Sequence, residues 1–318
     1  MEQHMKGLAL SELYYRELCA PMLASRFPAL AGRVAAGLVG EGSECLGFDD
    51  ELSRDHDWGA AVCLWLLPED YRKTGEALGR ALDALPGTIH GCPARGASRW
   101  GTGRTGVWEI GRFYFRYLGH CGVPPTPADW LKIPEEYLST ATNGAVFADP
   151  CGEFTRIRKD LLAFYPEDVR LKKLAARCLR MAQTGQYNFP RCVARREYVA
   201  AAAAEAEFIN AACSAAFLLN RRYKPFYKWM HRALADLPLL GKELFASLSV
   251  LVGVEEEGRA LICEKKAETI EKISAMFIRE LERQGLSSVQ SDFLLEHGYA
   301  VQRGICDKAI RDIDALLG

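Results

Sequence analysis

The chain has 318 residues, with 40 Lys and Arg against 41 Asp and Glu and a formal net charge of −1 at pH 7. Balanced charge argues against a generic polyanion binder, because nonspecific nucleic-acid affinity needs a surplus of cations; only local basic patches stay open. With 49% hydrophobic and 25% charged residues, the composition is that of a soluble globular protein long enough for one large or two ordinary domains.

The 11 cysteines are odd in number and scattered, and no two form a C-x-x-C pair, so neither a disulfide framework nor a structural zinc site is expected. Most read as buried free thiols in a reducing cytoplasm. The start, MEQHMKGLALSELYY, lacks an uninterrupted apolar signal core, and no run of about 18 apolar residues occurs, so a cytoplasmic protein without a membrane partner is expected.

In SELYYRELCAPMLASRFP, Leu10, Tyr14, Leu18 and Met22 recur at intervals of four and predict one apolar helical face, with Ser11 a possible cap and Pro21 and Pro28 as limits or kinks. A short apolar stretch from Val34 to Val39 ends in the glycine-rich GLVGEGSE. DHDWGAAVCLWLL then predicts a buried strand stopped by Pro68. PEDYRKTGEALGRALDAL predicts a helix with Leu78, Leu82 and Leu85 on one face. Residues 87–106 read as a loop, VWEIGRFYFRYLG as strand-like, CGVPPTPADW as the opening of a helix, and NGAVFADP as a turn and short strand. Within that loop, GTGRTG (101–106) matches the dinucleotide-binding glycine pattern, but a strand follows where a helix is required, so no such site is assigned.

After Cys151 the pattern becomes helical. ARREYVAAAAAEAEFINAACSAAFLLN is an alanine-rich helix, EKKAETIEKISAMFIRELERQG carries Ile270, Ile273, Phe277 and Leu281 on one stripe, and CDKAIRDIDALLG repeats this with Ile310, Ile313 and Leu317. The expected fold is therefore an α+β mixed sheet with helices over residues 1–150, followed by an all-α helical bundle over 151–318.

The most informative segment is GEGSECLGFDDELSRDHDWG, residues 40–59. Gly42 and Ser43 follow an apolar strand, and Asp55 and Asp57 stand one residue apart at the start of the next. Positions i and i+2 of a strand share a face, so Asp55 and Asp57 present paired carboxylates that repel unless a cation lies between them. Hard oxygen donors suit Mg²⁺, which binds through one or two carboxylates plus substrate phosphates. Glycine lets the backbone approach a phosphate, and Ser43 and its neighbouring N–H groups can hold β- and γ-phosphates. His56, between the acids, points to the opposite face and reads as a buried histidine. Asp49, Asp50 and Glu51 read as a solvated or helix-capping cluster.

This arrangement resembles the nucleotidyltransferase superfamily, with its DNA polymerase β-like fold: a hydrophobic residue, Gly, Gly or Ser, nine to thirteen residues, then Asp, a spacer and a second acid. DHDWG followed by GQYN and NRRYKPFYKW is similar to an uncharacterised bacterial branch of it. The resemblance implies transfer of a nucleoside monophosphate from an NTP to an acceptor with release of pyrophosphate, and two Mg²⁺ ions held by Asp55, Asp57 and a third carboxylate on a later strand. Glu109, an acid within an apolar strand pattern, is the expected third ligand and catalytic partner, with Asp149 its competitor. The acceptor is unnamed; balanced charge favours a small molecule, while an RNA end or a protein side chain stays open. A catalytically degenerate nucleotide-binding regulator is the alternative.

The run NRRYKPFYKWMHR interleaves five cations with four aromatic residues. A helix beginning near Pro225 places Lys228 and Arg232 on one face. Lys224 and Lys228 are the expected phosphate-binding cations; the competing reading is an amphipathic helix with snorkelling Lys and Arg. Gln186, Asn188 and Arg191 of GQYNFPR either line an acceptor pocket or end a helix.

Overall fold

Two prolines shape the helices that cover the core. The computed structural model describes residues 5–54, 58–94, 103–253 and 259–318. In chain order its elements begin with α1 (Gly7–Tyr14), a π-helical turn (Tyr15–Cys19), α2 (Ala20–Arg26), α3 (Pro28–Ala31), β1 (Ala35–Leu38), β2 (Cys63–Leu66) and α4 (Pro68–Asp83). A small hairpin follows, β3 (Thr88–Ile89) with β4 (Cys92–Pro93), then β5 (Gly106–Glu109), α5 (Ile110–Leu118), α6 (Pro127–Lys132), α7 (Glu135–Thr142), β6 (Ala145–Ala148) and α8 (Glu153–Leu162). The helical remainder comprises α9 (Glu167–Met181), a second π-helical stretch (Ala182–Asn188), α10 (Phe189–Ala194), α11 (Tyr198–Leu219), α12 (Tyr227–Leu234) and α13 (Gly241–Val252). It closes with α14 (Arg259–Arg283), α15 (Leu294–Arg303) and α16 (Lys308–Arg311). The protein is thus an α+β part followed by a helical part.

The chain divides into two compact units, residues 1–124 with 137–163, and residues 125–136 with 164–318. In the first, the strands form one sheet in the order β5-β2-β1-β6, with β1 antiparallel to β2 and β6 and β2 parallel to β5. All four residues of β1 and of β2 are buried, which explains their nearly continuous apolar sequence. Leu64 and Leu66 share a cluster with Leu10, Leu23 and Leu78 from the N-terminal helices and α4. Trp65 points to the other face, where its ring stacks on Phe154 of α8 at 3.8 Å and meets Phe113 of α5 edge-on at 5.4 Å.

Trp65 is fully buried, and among the described residues its indole N–H has no hydrogen-bond partner. An unmet buried donor costs about 1–3 kcal/mol, so Trp65→Phe removes that cost while losing volume. Its destabilisation should stay near ~1 kcal/mol, well short of the ~3–5 kcal/mol typical of a buried aromatic cut to alanine. Urea unfolding of the two variants checks this; equal losses would refute it.

Several elements differ from expectation. VWEIGRFYFRYLG is strand only to Glu109; Ile110, Phe113, Tyr114, Tyr117 and Leu118 are then the buried face of α5, closed by Gly119 at φ +68°. The helical spacing of these residues outweighs the strand preference of aromatic side chains. Ser11 does not cap a helix: it is buried within α1, and its hydroxyl accepts from the Ala61 N–H at 3.3 Å. The C-terminal segment is helical only over Lys308–Arg311, with Ile310 buried and Leu317 61% exposed.

Both π-helical stretches run up to a proline. Pro21 and Pro190 have no N–H to give to the carbonyls of Glu17 and Gln186, four residues back, which frees those carbonyls and lets the turn widen. In the second stretch, a Cβ on Gly185 would stand 2.3 Å from the Phe208 ring, so only glycine admits α11 this closely.

In the second unit α9 packs against α11 and α15. Length and a mean hydropathy of 1.3 would let α11 cross a bilayer, although charged and polar residues interrupt its apolar run; in this unit it buries Phe208 and the stretch from Ala211 to Leu219. Lys172 of α9 is fully buried and donates to Gln302 Oε1 (3.1 Å), the Ile313 carbonyl (3.1 Å) and the Asp314 carbonyl (2.6 Å). Asp168 accepts from the N–H groups of Cys306 and Asp307.

Candidate functional site

Strand register decides which residues share an end of the sheet. Gly37 pairs with Cys63, Leu38 with Ala145, and Cys63 with Gly106, so the end of β1 and the starts of β2, β5 and β6 lie together. Gly42 and Ser43 lie in the turn leaving β1. Gly40 and Gly42 have φ of +134° and +132°, which an L side chain rarely adopts. A Cβ on Gly42 would stand 2.5 Å from a carboxylate oxygen of Glu44, which folds back over the turn and is buried. The turn is pinned by Asn143, whose amide accepts from the Gly40 N–H (2.9 Å) and donates to the Gly40 carbonyl (2.8 Å).

Charges of both signs surround this turn, with Arg158 donating to the Asn143 and Gly144 carbonyls at 3.2 and 3.3 Å. Glu41 is held by Arg116 at 2.9 Å and by the Tyr117 hydroxyl at 2.7 Å; burial and the Glu41 charge push the Tyr117 phenol up. Asp49 is buried and accepts from the Gly7 N–H (2.8 Å) and the Trp58 indole (3.3 Å), with Lys6 at 3.7 Å. Asp55, His56 and Asp57 lie outside the described residues, as do residues 101 and 102 of GTGRTG. Their flanks are ordered about each other: the Arg54 guanidinium sits over the Trp58 ring at 4.4 Å.

Glu109 and Asp149 are at the opposite end of the sheet. Glu109 pairs with Leu66, three residue steps or roughly 10 Å along β2 from the end near Gly42 and Ser43. Its carboxylate faces Arg112 at 3.2 Å. Asp149 accepts from the N–H groups of Gly152 (3.0 Å) and Thr155 (2.8 Å) at the start of α8, a structural role for both oxygens. Among the described residues no cluster of three or more His, Cys, Asp or Glu is arranged to hold a metal ion.

Lys224 and Lys228 belong to the second unit. Lys228 is exposed and lies over the Trp229 ring at 5.2 Å, the snorkelling arrangement. Lys224 is buried, with its ammonium on Asn210 Oδ1 at 3.2 Å, and lines a cavity of about 560 Å³. Lys173, Arg177 and Arg180 of α9 line the same cavity, together with Glu135 and Ser214. Burial by itself would raise the Glu135 carboxyl, but Arg177 at 3.0 Å, Lys173, the Ser214 hydroxyl at 2.7 Å and Lys224 together hold it below the usual carboxylate range. Burial pulls the Lys173 ammonium down to about 8, against the opposing pull of Glu135.

Gln186 is structural: its amide donates to Glu271 (2.7 Å) and the Asp292 carbonyl (2.9 Å) and accepts from the Leu294 N–H (2.9 Å). Arg191 lies over the Tyr187 ring at 4.7 Å. Sequence reasoning missed Glu41, Asn143, Glu135, Lys173 and Arg177. Of these only Lys173 left a trace, as a cation on the buried face of α9.

A family described as "Domain of unknown function (DUF4037)" matches residues 130–230. No curated protein matches the chain significantly. The crystal structure of a nucleotidyltransferase-like protein from Exiguobacterium sibiricum is similar to 90% of this chain and 89% of that one, at 11% identity and a TM-score of 0.38.

Proposed function

We propose that the chain is a nucleotidyltransferase, moving a nucleoside monophosphate from an NTP to an acceptor, with a small molecule favoured over RNA or protein. One observation carries the reading: the glycine-dependent Gly42–Ser43 turn leaves β1 beside the start of antiparallel β2, the strand that the Asp55-x-Asp57 pair precedes in sequence. In the reaction an acceptor oxygen attacks the α-phosphorus, the bond to the β-phosphate oxygen breaks, and pyrophosphate leaves. The Gly42–Ser43 backbone and hydroxyl hold the departing phosphates in line, and positioning supplies much of the rate. Mg²⁺, the cofactor in this reading, would neutralise the triphosphate charge, with Asp55 and Asp57 as its ligands. Glu109, the expected third ligand, pairs with Leu66 at the end of the sheet away from the turn, and the reading does not rely on it.

The separation of Glu109 and Asp149 from the turn favours the second reading, a nucleotide-binding regulator without turnover. Each α-labelled NTP, incubated with Mg²⁺ and a small-molecule extract, separates the two. Transfer is expected, lost with a chelator and in Asp57→Ala. Mg²⁺-dependent binding without transfer selects the regulator. Neither binding nor transfer, in folded protein, ends both.

A further inference from the structure

We propose that the cavity in the helical unit binds a small phosphate monoester carrying an apolar or aromatic body. About 560 Å³ accommodates such a molecule. Two ammonium groups at the cavity are buried, Lys173 at 3% and Lys224 at 8% exposure. Among the described residues, neither has a carboxylate oxygen within ion-pair distance. Lys173 reaches the Leu131 carbonyl at 3.4 Å and the Tyr165 ring at 5.4 Å, and Lys224 reaches Asn210. Each ammonium has three donors, so both retain unfilled ones.

Buried cations are costly unless their charge is met. Glu135 attracts both ammonium groups, but its oxygens are hydrogen-bonded by Arg177 and Ser214 and neither lysine reaches them. Arg180 also lines the cavity and makes no ion pair among the described residues. Around the cavity Lys132, Lys173, Arg177, Arg180 and Lys224 face Glu135, Glu136 and Glu207, a surplus of two positive side-chain charges that calls for more than one negative charge. A phosphate monoester brings close to two at neutral pH and three acceptor oxygens, where a carboxylate brings one charge and two.

Part of the remaining wall is apolar. Ile133, Met230 and the rings of Phe226 and Tyr227, 4.4 Å apart, offer a surface for the ester's body. The DUF4037 match at 130–230 covers every lining residue except Gly318. This site stands on the helical unit's own residues and does not depend on nucleotidyl transfer.

Calorimetric titration of the full chain with phenyl phosphate, without Mg²⁺ or nucleotide, tests it. Saturable one-to-one binding is expected, displaced by inorganic phosphate and at least tenfold tighter than benzoate. Lys173→Met and Lys224→Met should each weaken it tenfold or more, and the exposed Lys272→Met should not. Circular dichroism and melting confirm that each variant is folded; if Lys173→Met fails to fold, Lys224→Met alone carries the test. No saturation at millimolar phenyl phosphate, benzoate binding as tightly, or indifference to the lysine substitutions overturns the proposal.

Discussion

Raising the pH from 8 to 10 is expected to remove about 5 kcal/mol of the stability that four buried thiols contribute to this protein. Burial pushes the thiols of Cys19, Cys63, Cys178 and Cys213 up to about 12, from an ordinary value of 9.0. These folded-state values are raised, so the contribution is fully present below the unfolded value and is lost as pH climbs from there towards 12. At pH 10 the unfolded chain has released these protons and the folded chain has not. Each thiol then favours unfolding by ~1.4 kcal/mol, the equivalent of one unit. Lys172 and Lys173 act in the opposite sense, since burial lowers both to about 8: each returns stability as the pH rises from about 8 towards 10.5. The two lysines therefore offset part of what the four thiols lose. Urea midpoints measured in reducing buffer across this range, for the wild type and for alanine at all four positions, check the prediction. The quadruple variant should gain stability relative to the wild type as pH rises, and parallel pH dependences of the two would disprove it.

Replacing Glu135 by alanine should cost ~3–5 kcal/mol, the usual penalty for removing one partner of a buried ion pair. Glu135 is 5% exposed and accepts from both Arg177 and Ser214. Its loss leaves the Arg177 guanidinium and the Lys173 ammonium in the same low-dielectric surroundings with less opposing charge. Glu135→Gln keeps an acceptor for Ser214 and should lose less. Denaturant unfolding of the full chain distinguishes them; a loss under ~1 kcal/mol for the alanine variant would show that water reaches the pair.

Much of the sheet was legible because β1, β2 and α4 carry their periods in uninterrupted form. The first helices were not fully legible. A stripe at Leu10, Tyr14, Leu18 and Met22 assumes a constant step of four; Leu10, Tyr14 and Met22 are buried, but Leu18 is only half-buried and Cys19 and Leu23 join the core instead. The π turn at 15–19 inserts a step of five, and nothing but Pro21 announces it. Glycine at 42 was read as room for a phosphate; the structure adds a local reason, the Glu44 carboxylate lying where a side chain would go. The trio of Glu135, Arg177 and Ser214 was invisible because each residue comes from a different helix, and no local spacing encodes their meeting.

The Lys172 clasp bears on how the chain comes off the ribosome. Its acceptors lie at Gln302, Ile313 and Asp314, and the companion acceptor Asp168 takes N–H groups from Cys306 and Asp307. While the helical unit is being synthesised, α9 therefore exists without the partners that make its buried lysine tolerable. Docking of α9 must await the segment from Gln302 to Asp314, so the unit completes itself only after that segment has been translated.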